Sequence, residues 1–591
     1  MNPRSAYGER LATLESERSR LRRQDRLFGL SKLAFAGLTF ICALWLARSH
    51  PSLLAWALLP SFIFVALWIA HERLLRRLGA STRLESFYRR GLARLDDQWA
   101  GQGDTGQRFF DPNHLYARDL DVFGSGSLYD LVSQAASAPG QHTLAAWLLD
   151  AADPEEILQR QQAVRELAPR LELREQLALA AEAIHEGTPE ALLRWAESRE
   201  GTVPRWLLFA APPLAVLWLA ALVYWFATSN FVWFALLSLF NLALTTPFIA
   251  AIKRAAADAL QLSSLLGPLH RVLAVYESQP FESPRLQGIG DAVRSDRLAP
   301  SRAIQKLERD LHWLESADNW FVKLFDRFLF WTPLCILAIE AWRRRHGSRM
   351  RAWLASIGDF EALSSLAGFA YERPECTFPT LQPGAPALHA IALTHPLLPR
   401  ATAIPNDVSL DAEHALIIVS GPNMAGKSTL LRAIGLNVVL AQCGAPVCGT
   451  RLALSPLAVG ASITVQDSLQ SGLSRFYAEI QRLKRITDLA AGPRPALFLL
   501  DELLSGTNSH DRRVGTEALV RSLLARNTIG LITTHDLALT KIADALHGRA
   551  INLHFGDRYS DGKLYFEYKL TSGIADSTNA LQLMRSIGLE I

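Results

Sequence analysis

The stretch LIIVSGPNMAGKST, Leu416 to Thr429, decides the fold of the C-terminal part of this chain. An apolar, β-branched run passes into a Gly-rich loop and then into a helix predicted from Ser428 to about Val438. The residues Gly421, Pro422, Asn423, Met424, Ala425, Gly426, Lys427 and Ser428 fit the phosphate-loop pattern of a glycine, four residues, Gly-Lys and a hydroxyl residue. Glycines let the backbone wrap a phosphate chain, so that amide N–H groups and the following helix N-terminus point at negative charge. Lys427 is placed to reach the outer phosphates and the Ser428 hydroxyl to ligand Mg2+, with Thr429 completing the loop.

Two downstream stretches supply the rest of such a site. Leu497-Phe498-Leu499-Leu500-Asp501-Glu502 reads as a buried strand ending in two carboxylates. In that arrangement Asp501 holds the metal and Glu502 polarises an attacking water. A third strand, Ile529 to Thr534, ends in Thr533-Thr534-His535-Asp536 and puts His535 where a γ-phosphate can be sensed. Glu502, His535 and Lys427 are therefore the candidate catalytic residues.

GPNMAGKST resembles the phosphate loop of MutS-type ATPases, in which Pro-Asn-Met inside the loop is more distinctive than the generic pattern. Further pieces follow in that family's order: Thr394-His395-Pro396, Pro405-Asn406-Asp407, the run Asp467 to Phe476 with Glu479, the two carboxylates, Ser505-Gly506-Thr507-Asn508-Ser509, TTHD, and Tyr568-Lys569-Leu570 with Gly573. The resemblance implies ATP and Mg2+ as ligands and a homodimer with composite sites, in which Ser471, Gly472 and Ser474 of one subunit close over ATP held by the other. It also brings DNA binding and mismatch repair. Three departures stand out: Ala425 where the family has a second glycine, Leu473-Ser474-Arg475 in the signature, and Leu504-Ser505-Gly506-Thr507 where an arginine is usual. The missing arginine bears on coupling geometry, while the residues for hydrolysis are all present.

About half of the 591 residues are hydrophobic, 49%, and the mean hydropathy is +0.11, which points to membrane segments within an otherwise soluble chain. The net charge of +4 carries little information about nucleic acid. Arg and Lys are spread along the chain, so any contact with double-stranded DNA is expected at phosphates and to weaken with salt. Cys42, Cys335, Cys376, Cys443 and Cys448 are scattered and form no paired ligand set; Cys443 and Cys448, near each other but without His or Cys partners, read as reduced core thiols in a cytosolic setting.

Residues 1 to 29 form an Arg-rich juxtamembrane helix, with Leu11, Leu14, Leu21 and Phe28 at roughly helical spacing. Leu30 to Ala47 and Pro51 to Ala70 read as a first transmembrane hairpin, flanked by arginines on both sides and so entered from the cytoplasm. Trp206 to Thr228 and Phe231 to Ile252 read as a second hairpin with its tip at Ser229-Asn230 and aromatic residues gathered there. Phe328 to Trp342 is too short to span and reads as a buried or interfacial helix.

Ser127 to Leu131, Gly140 to Leu148, Arg160 to Leu167 and Asp359 to Ala367 resemble the helical core of the MutS family. The mismatch-reading module and the terminal dimerisation element of that family have no counterpart in the residues read. The expected organisation is a juxtamembrane helix (1–29), hairpin 1 (30–71), a helical core (72–204), hairpin 2 (205–252), its helical return (253–377) and a MutS-type ATPase domain (378–591). The fold class is an α/β P-loop domain of ABC/MutS type behind an all-α core carrying transmembrane hairpins. The leading expectation is an ATPase anchored in the inner (cytoplasmic) membrane, multi-pass, with its ATPase domain in the cytoplasm and a protein partner not identified by sequence. An ATP-driven transporter and an ATP-gated scaffold are the alternatives, although ionisable residues are sparse in the spans and Asn241 is the main polar one in hairpin 2.

Overall fold

The computed structural model describes residues 2–49, 58–180, 189–198, 204, 206–294, 299–422, 425–464, 475–560 and 563–574. They fall into two compact units. One comprises the residues up to Gly103 with Leu171–Leu179, the other Asp104–Arg170 with the residues from Ala180 onward.

The first unit is built on two long helices, Pro3–Ser49 and Leu58–Leu95, which run antiparallel. Tyr7, Leu14 and Leu21 are buried at seven-residue spacing, the period that keeps one helical seam facing a partner. Phe28, next in that series, stacks on His71 with ring centroids 5.9 Å apart. Tyr7 meets Tyr88 edge-on at 5.3 Å, and His71 Nε2 lies 2.7 Å from Asp25 Oδ1. Expected boundaries at 29/30 and 71/72 fall inside these helices, because no Pro or capping Gly interrupts the passage from the polar to the apolar portion. The apolar portions leave Leu33, Phe40, Ile41, Trp45 and Phe62 exposed.

The second unit begins with short helices whose starts follow capping chemistry. Ser127 Oγ accepts from Asp130 N, Ser137 Oγ accepts from Gly140 N, and Pro154 with Glu155 and Glu156 opens Pro154–Leu167. The long helix Met350–Glu372, which contains Asp359 to Ala367, packs on Ala138–Leu149 and on Pro154–Leu167 and is buried along most of its length.

In the same unit lies the apolar pair Leu207–Thr228 and Val232–Thr245. Its turn falls at the expected place: Ser229 takes φ 58°, and Asn230 Oδ1 accepts from Val232 N. The segment read as Phe231 to Ile252 is not one regular helix. A 3-10 turn, Thr246–Phe248, separates it from Ile249–Leu260, since Pro247 lacks the N–H needed to continue the ladder. Among the described residues, Leu207–Thr228 and Val232–Leu260 are the stretches long and apolar enough to cross a membrane, with only 22% and 17% of their apolar windows buried.

Trp218 is the largest buried side chain of Leu207–Thr228, on which Leu207, Ala211 and Ala221 are also buried. It stacks on Phe328 at 5.2 Å, and its Nε1 donates to Ser238 Oγ. The side chain of Asn241 is fully buried, and Nδ2 donates to Phe328 O at 3.1 Å. The segment Phe328 to Trp342 is divided at Phe330, which is buried with φ 56°. It joins Trp320–Leu329 to Trp331–His346, and the latter buries Ile336, Leu337, Ile339 and Trp342.

Among the described residues ten strands follow: β1 (Thr380–Leu381), β2 (Leu388–Leu393), β3 (Asn406–Leu410), β4 (Leu416–Ser420), β5 (Arg451–Leu454), β6 (Ala458–Ser462), β7 (Ala496–Asp501), β8 (Thr528–Thr534), β9 (Ala550–Ser560) and β10 (Lys563–Ser572). They form a four-stranded sheet in the order β1-β5-β2-β3 and a six-stranded sheet in the order β10-β9-β4-β8-β7-β6. In the larger sheet β9, β4, β8, β7 and β6 are parallel and only β10 is antiparallel. β4 and β8 are buried throughout and β7 up to its last residue, as central parallel strands covered on both faces require.

Candidate nucleotide site

The register of the parallel strands sets the site. Ser420 of β4 pairs with Thr534 of β8, and Asp501 of β7 pairs with Thr533. The Gly-rich loop, the carboxylate pair and His535 therefore emerge side by side at the carboxyl edge of the sheet, where open α/β sheets bind ligands.

The loop enters through Gly421 at φ 148° and leaves through Gly426 at φ 100°, both in backbone regions that favour glycine. The helix after it runs Lys427–Cys443, longer than expected, and ends on Gly444 in the left-handed conformation. Gly435 on this helix lets Leu120 and Leu499 approach; a Cβ there would come within 2.6 Å of Leu120 Cδ2.

Lys427 is buried, and its Nζ donates to Gly421 O at 2.8 Å and Pro422 O at 2.9 Å, with Glu502 Oε1 at 3.9 Å. Burial lowers its pKa, and the Glu502 and Asp501 carboxylates oppose that shift. The ammonium thus sits over the loop carbonyls and faces the carboxylate pair.

Ser428 Oγ donates to Asp501 Oδ2 at 2.5 Å, while Thr533 Oγ1 donates to Asp501 Oδ1. Glu502 takes φ 46°, and its N–H donates to Thr533 O at 3.2 Å. His535 Nδ1 lies 3.2 Å from Glu502 Oε1. A hydroxyl and a carboxylate oxygen side by side form a hard-oxygen donor set that suits Mg2+. A second carboxylate beside an imidazole can orient a water.

Of the residues expected at the site, Gly421, Pro422, Gly426, Lys427, Ser428, Asp501, Glu502 and His535 converge. Ala425 is buried in the loop, and Thr429 is exposed in the first turn of the helix. Asn423, Met424, Ser471, Gly472 and Ser474 lie outside the described residues.

Sequence reasoning missed Arg512, and it placed Thr533, Glu479, Asn406 and Tyr568 in motifs without giving them a role. Thr533 anchors Asp501 through the strand register, a signal readable only once β7 and β8 are known to be neighbours. Glu479, buried on helix Arg475–Leu489, accepts from Leu504 N at 2.6 Å and holds the turn after the carboxylates. Arg512 donates to the carbonyls of Leu504, Ser505 and Thr507. An arginine thus organises the Leu504–Thr507 turn from the following helix, in the stretch that carries none of its own. Asn406 donates to Tyr568 O and accepts from Leu570 N, fixing an irregularity in β10. The Tyr568 ring is thereby set against Gly426, where an added Cβ would stand 3.1 Å from Tyr568 Cδ1. Half exposed beside the loop, that ring can stack on a flat heterocycle. His395 lies partly buried near Arg432, and desolvation first, then that charge, lowers its pKa to about 4, so its imidazole is neutral.

Residues 417–590 match the family model described as MutS domain V. Similar proteins include Endonuclease MutS2 of Thermus thermophilus, 34% identical over 196 residues, covering 33% of this chain and 25% of that protein. DNA mismatch repair protein MutS 2 of Halobacterium salinarum is 31% identical over 247 residues, 41% of this chain and 28% of its own length. DNA mismatch repair protein MutS of Thermus thermophilus is 30% identical over 321 residues, 53% of this chain and 36% of its own length. The matched part thus spans between a quarter and little more than a third of these relatives.

Proposed function

Starting from a chain that belongs to the MutS family through its domain V, we propose that it is a membrane-anchored ATPase whose nucleotide cycle moves the attached helical core. The observation that carries the proposal is the contact of Ser428 with Asp501 beneath a loop whose lysine faces Glu502. In this reading the loop amides and Lys427 bind the phosphates of ATP, and Tyr568 stacks on its base. Ser428 and Asp501 would hold Mg2+, which would supply neutralisation of phosphate charge. Glu502 takes the proton of the attacking water, with His535 fixing the carboxylate and sensing the γ-phosphate. Ser471, Gly472 and Ser474 of a second copy close the site, so the working unit is a homodimer.

The exposed apolar faces of Leu207–Thr228 and Val232–Leu260 favour a membrane location, and an inner-membrane setting with the ATPase domain in the cytoplasm is the one that gives that domain ATP. Similarity to a MutS2 endonuclease and to DNA mismatch repair proteins brings a DNA-related role, with duplex phosphates as the contacts. Asn241 favours an anchoring role for this hairpin over a transport pathway, because it is buried and its amide N–H is engaged by Phe328 O.

The test is ATP turnover by the full chain in nanodiscs, with matched or mismatched duplex DNA at two salt concentrations. Stimulation that weakens with salt supports a tethered DNA-processing enzyme. Turnover indifferent to DNA removes the DNA role, and no turnover removes the ATPase reading.

A further inference from the structure

Cys376 and Cys448, far apart in sequence, meet with Cys376 Sγ donating to Cys448 Sγ at 3.4 Å. Backbone register brings them there. Thr377 and Val447 form an antiparallel bridge and exchange both hydrogen bonds, Thr377 N to Val447 O at 3.1 Å and Val447 N to Thr377 O at 2.8 Å. Residues 376 and 448 flank that bridge in the non-hydrogen-bonded position, where Cα atoms stand about 4.5 Å apart and side chains are closest. That spacing lies within the roughly 4.4–6.8 Å that disulfides span.

The two thiols differ. Cys448 is 5% exposed, and the Arg373 guanidinium lies 3.8 Å from its sulfur. The S–H of Cys376 and this positive charge lower the Cys448 pKa, whereas the same hydrogen bond, with burial, raises that of Cys376. Cys376 is only partly buried. Cys443 differs from both: its thiol donates to Trp147 O, and burial pushes its pKa up to about 12.

We propose that Cys376 and Cys448 form a reversible disulfide on exposure to hydroperoxide, a redox modification site that staples the end of helix Met350–Glu372 to the segment following the phosphate-loop helix. The Cys448 thiolate attacks a peroxide oxygen, breaking the O–O bond and giving the sulfenic acid and hydroxide, which takes up the displaced proton as water. The Cys376 sulfur then attacks the Cys448 sulfur, forming S–S and expelling hydroxide, which leaves as water with the Cys376 proton. Two thiols lose two electrons and one peroxide gains them.

The link would act on the nucleotide domain directly. Cys448 N donates to Asn437 Oδ1 at 2.7 Å, and Asn437 lies on the phosphate-loop helix, where its Nδ2 also holds Thr394 O. The disulfide would therefore fix the junction between the helical core and the loop helix. This inference stands apart from the ATPase reading, because its chemistry needs no nucleotide.

The experiment treats the reduced full chain with hydrogen peroxide, blocks remaining thiols, and maps peptides by mass spectrometry without reduction. The expected result is a Cys376–Cys448 linked peptide that dithiothreitol removes and that Cys376→Ser lacks, with Cys443 still a thiol. Recovery of both residues as blocked thiols, or as separate sulfinic acids, overturns the proposal whether or not the chain hydrolyses ATP.

Discussion

Ser428 Oγ and Asp501 Oδ2 are 2.5 Å apart although 73 positions separate them in sequence. The contact depends on β4 and β7 both flanking β8, and on Thr533 holding the other carboxylate oxygen. Asp501→Asn keeps the shape and a hydrogen-bond acceptor but removes the charge a divalent ion needs. Affinity for ATP in the presence of Mg2+ should fall at least tenfold, about 1.4 kcal/mol, while affinity in the presence of a chelator stays close to that of the unmodified chain. Nucleotide titration with and without the metal measures both, and equal losses in the two arms would remove Asp501 from the metal site.

Glu502 differs from Asp501 in its partners. Its carboxylate lies toward Lys427 and His535, and its backbone is pinned to Thr533. Glu502→Gln preserves size and should lower turnover by roughly two to four orders of magnitude, leaving ATP affinity within a few-fold. The variant should accumulate as an ATP-bound dimer by light scattering, and an unchanged hydrolysis rate would end the role given to Glu502.

Glu361 gives a pH dependence with a definite sign. It is 2% exposed, accepts from Ser137 N and Ser137 Oγ, and burial pushes its pKa up to about 7 from an ordinary 4.5. Below pH 4.5 both folded and unfolded forms hold the proton and nothing is lost. Between about 4.5 and 7 the unfolded chain ionises while the folded one does not. Stability therefore falls as pH rises, by about 3 kcal/mol over the interval, and levels off above 7. Glu361→Gln keeps an acceptor for Ser137 and removes the ionisation, so thermal melts should show it matching the unmodified chain at pH 4.5 and exceeding it at pH 8.

What could be read in the sequence was what local pattern encodes. β4, β7 and β8 are uninterrupted apolar runs, and the residues at their ends form the site because parallel strands deliver their carboxyl ends to one edge. The turn at Ser229 and the start at Pro154 carried their own chemistry. Contacts between distant segments left no such trace. Asp119 accepts from Ile463 N and Thr464 N, pairs with Arg482 at 2.6 Å, and through its carbonyl holds Arg432 of the phosphate-loop helix. In the sequence it is one acid among many. The unbroken helix Pro3–Ser49 escaped for the opposite reason: a change in composition was read as a boundary, although backbone hydrogen bonding ignores a shift from polar to apolar side chains.

Asn241 separates an anchored hairpin from a conduit. Its side chain is fully buried and donates to Phe328 O, where helix Trp320–Leu329 ends against Trp218. Asn241→Leu leaves that carbonyl without this donor and puts a branched side chain where a planar amide packed, a loss of about 1–3 kcal/mol. The Trp218 ring, stacked on Phe328, should report the loosened contact by a red shift in emission, and the melting temperature in detergent should fall. A residue lining a solute path would behave differently, since polar groups there face a cavity and carry substrate contacts more than packing. An Asn241→Leu chain with unchanged melting and fluorescence would therefore count against the anchoring role and reopen the conduit.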